Sequence, residues 1–194
     1  MKWLNEKTIL VEKELNELDK FLLSFVGILE KYFEYVVVSG YVSILFGRSR
    51  ATEDINVLVR ELNEKKFIEF WKEANKSFWC LNAKTLEEAF ELLKESSLRF
   101  AKKNEIIPNI ELKICKKRID FITIDEKIKV VLADKKSIFI SPIELQIAYK
   151  EEVLKSEKDL EDALYLREIF KKKIDERKIE EFKKVIKSGQ KRIH

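Results

Sequence analysis

SGYVSILFGRSRATEDINVLV, residues 39–59, holds two turns of chain direction and one pair of polar side chains whose spacing matters. The preceding run YVVVS, residues 35–39, is continuous and β-branched, which predicts a short buried strand. Residues 41–47 predict a short helix stopped by Gly47. A polar loop, residues 48–53, leads into DINVLVR, residues 54–60, where apolar and polar positions alternate as in a second strand. Asp54 and Asn56 stand two apart, so they share one strand face, roughly 6.5–7 Å apart along the chain. Mg²⁺ takes oxygen ligands from one or two carboxylates together with phosphate and water, and such a pair can supply them. Gly40 lets a phosphate approach the backbone, the N–H groups opening helix 41–47 point toward it, and Ser39 and Ser43 add hydroxyls.

Working outward, residues 63–76 and 85–95 predict amphipathic helices, the second with Thr85 and Glu88 as a capping box. Residues 110–115 and 118–124 predict strands, and residues 127–132 and 137–140 a hairpin around Asp134. At the amino end, Val11, Leu15, Leu18, Leu22, Phe25 and Leu29 form one stripe of a helix over residues 3–31. That stripe serves either the chain's own core or a homodimer seam. From residue 141 the chain predicts helix only. Ser141, Pro142 and Glu144 read as N-cap, N1 and N3 of one helix, Ser156 and Asp159 as the cap of the next, and a last helix covers about residues 175–188. The domain expectation is an α+β unit over residues 1–140 followed by a helical region over residues 141–194.

Composition narrows the chemistry. The 194 residues carry 39 Lys and Arg against 35 Asp and Glu, a net charge of +4 that does not by itself imply nucleic acid. The single histidine, His194, removes mechanisms built on an internal imidazole. Cys80 and Cys115 are too few for a disulfide framework or a four-ligand zinc site. No stretch of about 18 apolar residues exists and the first twenty residues are charge-interrupted, so no membrane span and a cytoplasmic location are expected. Residues 177–194 carry seven Lys or Arg against two Glu, a tail able to follow an RNA backbone or simply to face water.

Ser39-Gly40, a short helix, then Asp54-Ile55-Asn56 resembles the nucleotidyltransferase superfamily, the polymerase-β-like fold. Loop RSRATED, residues 48–54, is similar to the Arg- and Thr-bearing stretch that ends on Asp in the AbiEii-type toxin branch and its archaeal and bacterial relatives. The later SPIELQIAYKEEVLKSEKDLEDALYL, with Lys150, Lys158, Asp159 and Asp162, is similar to that branch's helical motif. The resemblance implies an α+β fold, with a mixed sheet flanked by helices and followed by a C-terminal helical bundle. It implies an NTP substrate and Mg²⁺ held by Asp54, Asn56 and a third acid on a later strand. Asp120 or Glu111 is that acid, and it is also the group available as a base. Arg48, Lys150 and Lys158 become phosphate-binding candidates; for Arg48 and Arg50 a solvated role stands equally open. Thr52 either caps the turn or holds the Asp54 carboxylate. The implied reaction moves a nucleoside monophosphate to an acceptor hydroxyl, on a tRNA or a protein, with an antitoxin as partner. Asn56 departs from the family's carboxylate, and this leaves a second function open: a weakened or inactive relative that binds nucleotide or RNA.

Overall fold

A computed structural model describes residues 1–132 and 135–190. Asp134 of the expected hairpin turn and Lys191, Arg192 and His194 of the basic tail lie outside the described residues. The strands are β1 (Lys2–Asn5), β2 (Thr8–Leu10), β3 (Tyr35–Val38), β4 (Asp54–Val59), β5 (Phe78–Cys80), β6 (Ser97–Lys102), β7 (Asn109–Ile114), β8 (Ile128–Val131) and β9 (Ser137–Ile140). They form one sheet in the order β1-β2-β8-β9-β3-β4-β7-β6-β5. The sheet is mixed. β3 pairs antiparallel with β4, while β4 with β7 and β3 with β9 run parallel. The helices are α1 (Glu17–Leu29), α2 (Gly40–Leu45), α3 (Glu64–Ala74), α4 (Leu86–Glu95), α5 (Arg118–Asp125), α6 (Ile143–Tyr149), α7 (Glu157–Phe170) and α8 (Glu176–Gln190), with a π-helical turn at Lys150–Leu154 after α6.

Alternation in the central strands divides the sheet's two faces. Ile55, Val57 and Val59 of β4 are fully buried on one face, in a core shared with Phe21 and Phe25 of α1 and Phe67 and Phe70 of α3. Asp54, Asn56 and Leu58 project from the other face, where Val36, Cys115 and Ile124 make a small second cluster beneath α5. Side chains of α6, α7 and α8, among them Ile147, Leu166 and Ile179, join the larger core, so the helical segment is packed onto the α+β part.

Three expectations need correction. Residues 3–31 are not one helix. The β-branched Thr8 and Ile9 extend as a strand beside β8, and the helix begins only at Asn16, whose Oδ1 accepts from Asp19 N at 2.9 Å. The stripe on α1 packs in the chain's own core, the first of the two roles open to it, with the Phe25 ring 5.2 Å from that of Phe78. Residues 118–124 form α5 rather than a strand; Ile119, Thr123 and Ile124 are buried at helical spacing, while Phe121 is partly exposed. Finally, Pro142 rather than Ser141 holds the N-cap position of α6, with no side-chain cap, and the Ser141 hydroxyl caps nothing.

Candidate functional site

The site is assembled on the polar face of β4 and β7. The Asn56 Nδ2 donates to Asp54 Oδ2 at 3.0 Å. Thr52 Oγ1 lies 2.8 Å from the Asp54 carbonyl oxygen and 3.4 Å from Asp54 Oδ1, so its proton serves the turn first and the carboxylate second. Parallel register sets Glu111 directly opposite Asn56. Lys113, two residues further along β7, shares the Glu111 face; its Nζ donates to Glu111 Oε2 at 2.8 Å and to Asn56 Oδ1 at 3.1 Å. Ser97 Oγ on β6 donates to the other Glu111 oxygen at 3.0 Å. Burial works to raise the Glu111 carboxyl, but the hydrogen bond and charge of Lys113, with help from Ser97, hold it below the usual carboxylate range.

Asp120 is not part of this line. Its Oδ2 accepts from the backbone N–H groups of Lys116 (3.0 Å) and Lys117 (2.9 Å), which ties down the start of α5. Of the two acids, the one beside Asn56 is therefore Glu111.

This donor set does not fit the Mg²⁺ that the family resemblance implies. A hard divalent cation seeks carboxylate oxygens whose charge is free. Here Glu111 is neutralised by an ammonium, Asn56 turns its carbonyl to that same ammonium, and Asp54 is engaged by the Asn56 amide. Among the described residues no group of three or more His, Cys, Asp or Glu side chains could hold a metal ion.

The expected phosphate-binding cations meet elsewhere. Arg48, Arg50 and Lys150 converge on Asp162 of α7, which is fully buried. Lys150 Nζ stands 2.7 Å from Asp162 Oδ2 and 3.1 Å from Asp159 Oδ1, and Arg48 also pairs with Glu161 at 2.5 Å. Three cations face three acids, leaving no surplus positive charge for a ligand. Lys150 is itself wholly buried, and Lys158 contributes its carbonyl oxygen, which accepts from Arg48 at 3.1 Å. This cluster clamps loop 48–53 to the helical segment. It also fills the space expected above Gly40: a Cβ there would lie 3.0 Å from the Arg50 guanidinium. Gly40→Ala should thus shift the Arg50 guanidinium by a few tenths of an ångström against its Asp162 partner and lower the melting temperature. The same change should cost much less in an Arg50→Ala background, and equal costs in both backgrounds would show that Arg50 is not what the glycine accommodates. Ser43 is fully buried in α2, out of reach of a ligand; its Oγ has no partner among the described residues.

Beside the polar line lies a cavity of about 390 Å³ between the sheet face and α5 and α6. Ser39, Asn56 and Lys113 form one wall, and Ser39 reaches it from a backbone turned to φ 67° at the end of β3. Val38, Leu58, Ile119, Leu145 and Tyr149 supply apolar surface. Ser141 and Gln146, both buried, also line it, and the Ser141 Oγ has no partner among the described residues. Lys113, Ser141, Gln146 and Arg50 as a clamp residue escape the sequence reading. Lys113 had a visible signal, since IELKI places it on the Glu111 face. The others depend on packing between segments a hundred residues apart.

No family model matches the chain, and no curated protein matches it. Solved structures do. One is an antigenic nucleotidyltransferase-like protein from Paracoccidioides brasiliensis, 10% identical, with a TM-score of 0.50 over 89% of this chain and 87% of that one. Another is the antibiotic-resistance factor ANT(2'')-Ia, 11% identical, with a TM-score of 0.49 over 88% and 93%. At such identity the first likeness shows the fold: a mixed sheet flanked by helices, like that of nucleotidyltransferases. Among the described residues no helix is long and apolar enough to cross a membrane.

Proposed function

We propose that the protein binds a nucleotide in the cavity beside Asn56, as a relative of nucleotidyltransferases whose metal-dependent transfer machinery is weakened. The observation that carries this reading is the cavity's lining. Apolar walls with Tyr149 suit a flat base, the unpartnered Ser141 hydroxyl and the Gln146 amide suit its polar edge, and Lys113 suits a phosphate. Titration with the four common NTPs should raise the melting temperature. Gln146→Leu, which keeps the volume and removes the amide, should weaken binding by about 1–3 kcal/mol if that amide reads the base. No response to any NTP overturns the reading.

A second reading is favoured by the fold and by Asp54 and Asn56 sharing one strand face: transfer of a nucleoside monophosphate from an NTP to an acceptor hydroxyl with Mg²⁺. A tRNA or protein acceptor, an antitoxin partner and a cytoplasmic location belong to that reading. It requires Lys113 to leave Asn56 and Glu111. Labelled NTP incubated with total RNA or protein tests it: label on an acceptor, with pyrophosphate released, supports transfer.

A further inference from the structure

We propose that the sheet face beyond Glu111 is a platform for single-stranded nucleic acid, with a base stacked on Trp79 and the adjoining phosphate on Arg99. The site lies outside the cavity and does not depend on the nucleotide reading.

Register builds it. Residues directly paired across strands share a face. Asp54 pairs with Asn109, Asn109 with Ala101, and Ala101 with Trp79, so the indole stands on the face of Asp54, three strand spacings or about 14 Å away. The next row runs Asn56, Glu111, Arg99. α4 covers β6 and β7 from the opposite, core face, where Ala89 and Leu93 are buried with Leu98 and Phe100. On the site face Trp79 is 41% exposed and Arg99 is exposed as well. The indole is pinned, because its Nε1 donates to the Glu105 carbonyl oxygen at 2.7 Å.

An aromatic ring that is exposed yet held in place offers a base a stacking partner at little ordering cost, and stacking accepts every base. Arg99 supplies the contact for an anion. Arg48, Arg50, Arg60, Arg167 and Arg177 each hold a carboxylate, whereas the Arg99 guanidinium makes no ion pair among the described residues. Glu111, directly opposite on β7, has its two oxygens taken by Lys113 and Ser97. The charged side chains on this face of β5, β6 and β7 are Arg99, Lys113 and Glu111, a balance of +1, with Asp54 beyond them on β4. That suits one phosphate rather than a long polyanionic track, so stacking carries the affinity and the salt dependence is small. A lone indole among polar side chains also lacks the packed apolar pocket that anchors a protein partner.

Fluorescence anisotropy of the full chain with a short labelled RNA of mixed sequence, single-stranded or annealed to its complement, tests the platform. The single strand should bind more tightly than the duplex, whose base faces are hidden. Trp79→Ala should weaken single-strand binding by about five- to a hundred-and-fiftyfold. Trp79→Phe keeps a stacking face without the indole N–H and should retain most of the affinity. Arg99→Ala should reduce the slope of log affinity against log salt by about 0.7, the share of one single-strand phosphate. Duplex binding as tight as single-strand binding overturns the proposal, because it marks contact through charge alone. Wild-type affinity in a folded Trp79→Ala overturns it too, as does a Trp79→Phe as weak as the alanine variant, which would leave the indole only pinning the turn. Binding of neither RNA overturns it and turns attention to a protein partner seated on the exposed Ile106 and Ile107. Should Trp79→Ala fail to fold, Trp79→Phe and the duplex comparison still decide. ATP-induced melting shifts report on the cavity and should be the same in Trp79→Phe and wild type.

Discussion

Asp162→Asn should cost the protein about 3–5 kcal/mol, the usual penalty for removing one partner of a buried ion pair. At about 2–4 °C per kcal/mol for a chain of this size, the melting temperature should fall by about 6–20 °C. The reason lies in how many charges lean on one carboxylate. Asp162 is fully buried and accepts from Arg48, Arg50 and Lys150. Without its charge, three cations share Asp159 and Glu161, and Lys150 has no solvent to turn to. Asn keeps the shape but offers one acceptor oxygen and brings an NH₂ toward a cluster of donors. Lys158→Ala is the control. That side chain is exposed and only its main chain takes part, so the melting temperature should hardly move. Similar melting of Asp162→Asn and wild type would show that the cluster does not clamp the loop. A shift confined to ligand affinity would return these cations to the phosphate-binding role the sequence suggests.

The difference between those roles explains what the sequence could and could not show. β3, α2 and β4 were legible because each is local: a β-branched run, a glycine stop, a strict alternation. The cap of α7 was legible for the same reason, with Ser156 Oγ accepting from Asp159 N at 3.2 Å. Residues 118–124 failed because IDFITI satisfies both periods over so short a span. Burial of Ile119, Thr123 and Ile124, with Ile119 in the larger core and Ile124 in the second cluster, breaks the tie. β5 and β6 went unseen; β6 mixes buried Leu98 and Phe100 with exposed Arg99, and its identity comes from pairing with β7. At the site, the strand-face pair of Asp54 and Asn56 follows from alternation. That Glu111 stands opposite Asn56 is a matter of register between strands fifty residues apart, which no local pattern encodes. The cations of the helical motif look like ligands for phosphate until the fold brings Asp162 among them.

Restoring a metal site should need two substitutions, because two features exclude the metal. Asn56→Asp alone replaces an amide with a carboxylate, but Lys113 stands 3.1 Å from the atom that becomes charged and would pair with it. The single variant should therefore show little Mg²⁺-dependent change in melting. In Asn56→Asp with Lys113→Met, Asp54, the new carboxylate and Glu111 project from one sheet face with no ammonium among them. Without metal this variant should melt well below wild type, since like charges at such spacing resist joint ionisation and the amide bond to Asp54 is gone. Mg²⁺ binding only the folded form at about a hundred times its dissociation constant stabilises by about 2.7 kcal/mol. That is a rise of about 5–10 °C at the same sensitivity per kcal/mol. Differential scanning fluorimetry of wild type, both single variants and the double variant, each with EDTA or MgCl₂, reads the whole pattern. A metal response confined to the double variant means the side chains converge on one point that Lys113 now occupies. A response already present in wild type would place Mg²⁺ where the Lys113 ammonium sits and favour the transferase reading. A double variant indifferent to Mg²⁺ would mean that the three positions, although neighbours on the sheet, do not point at a common ion.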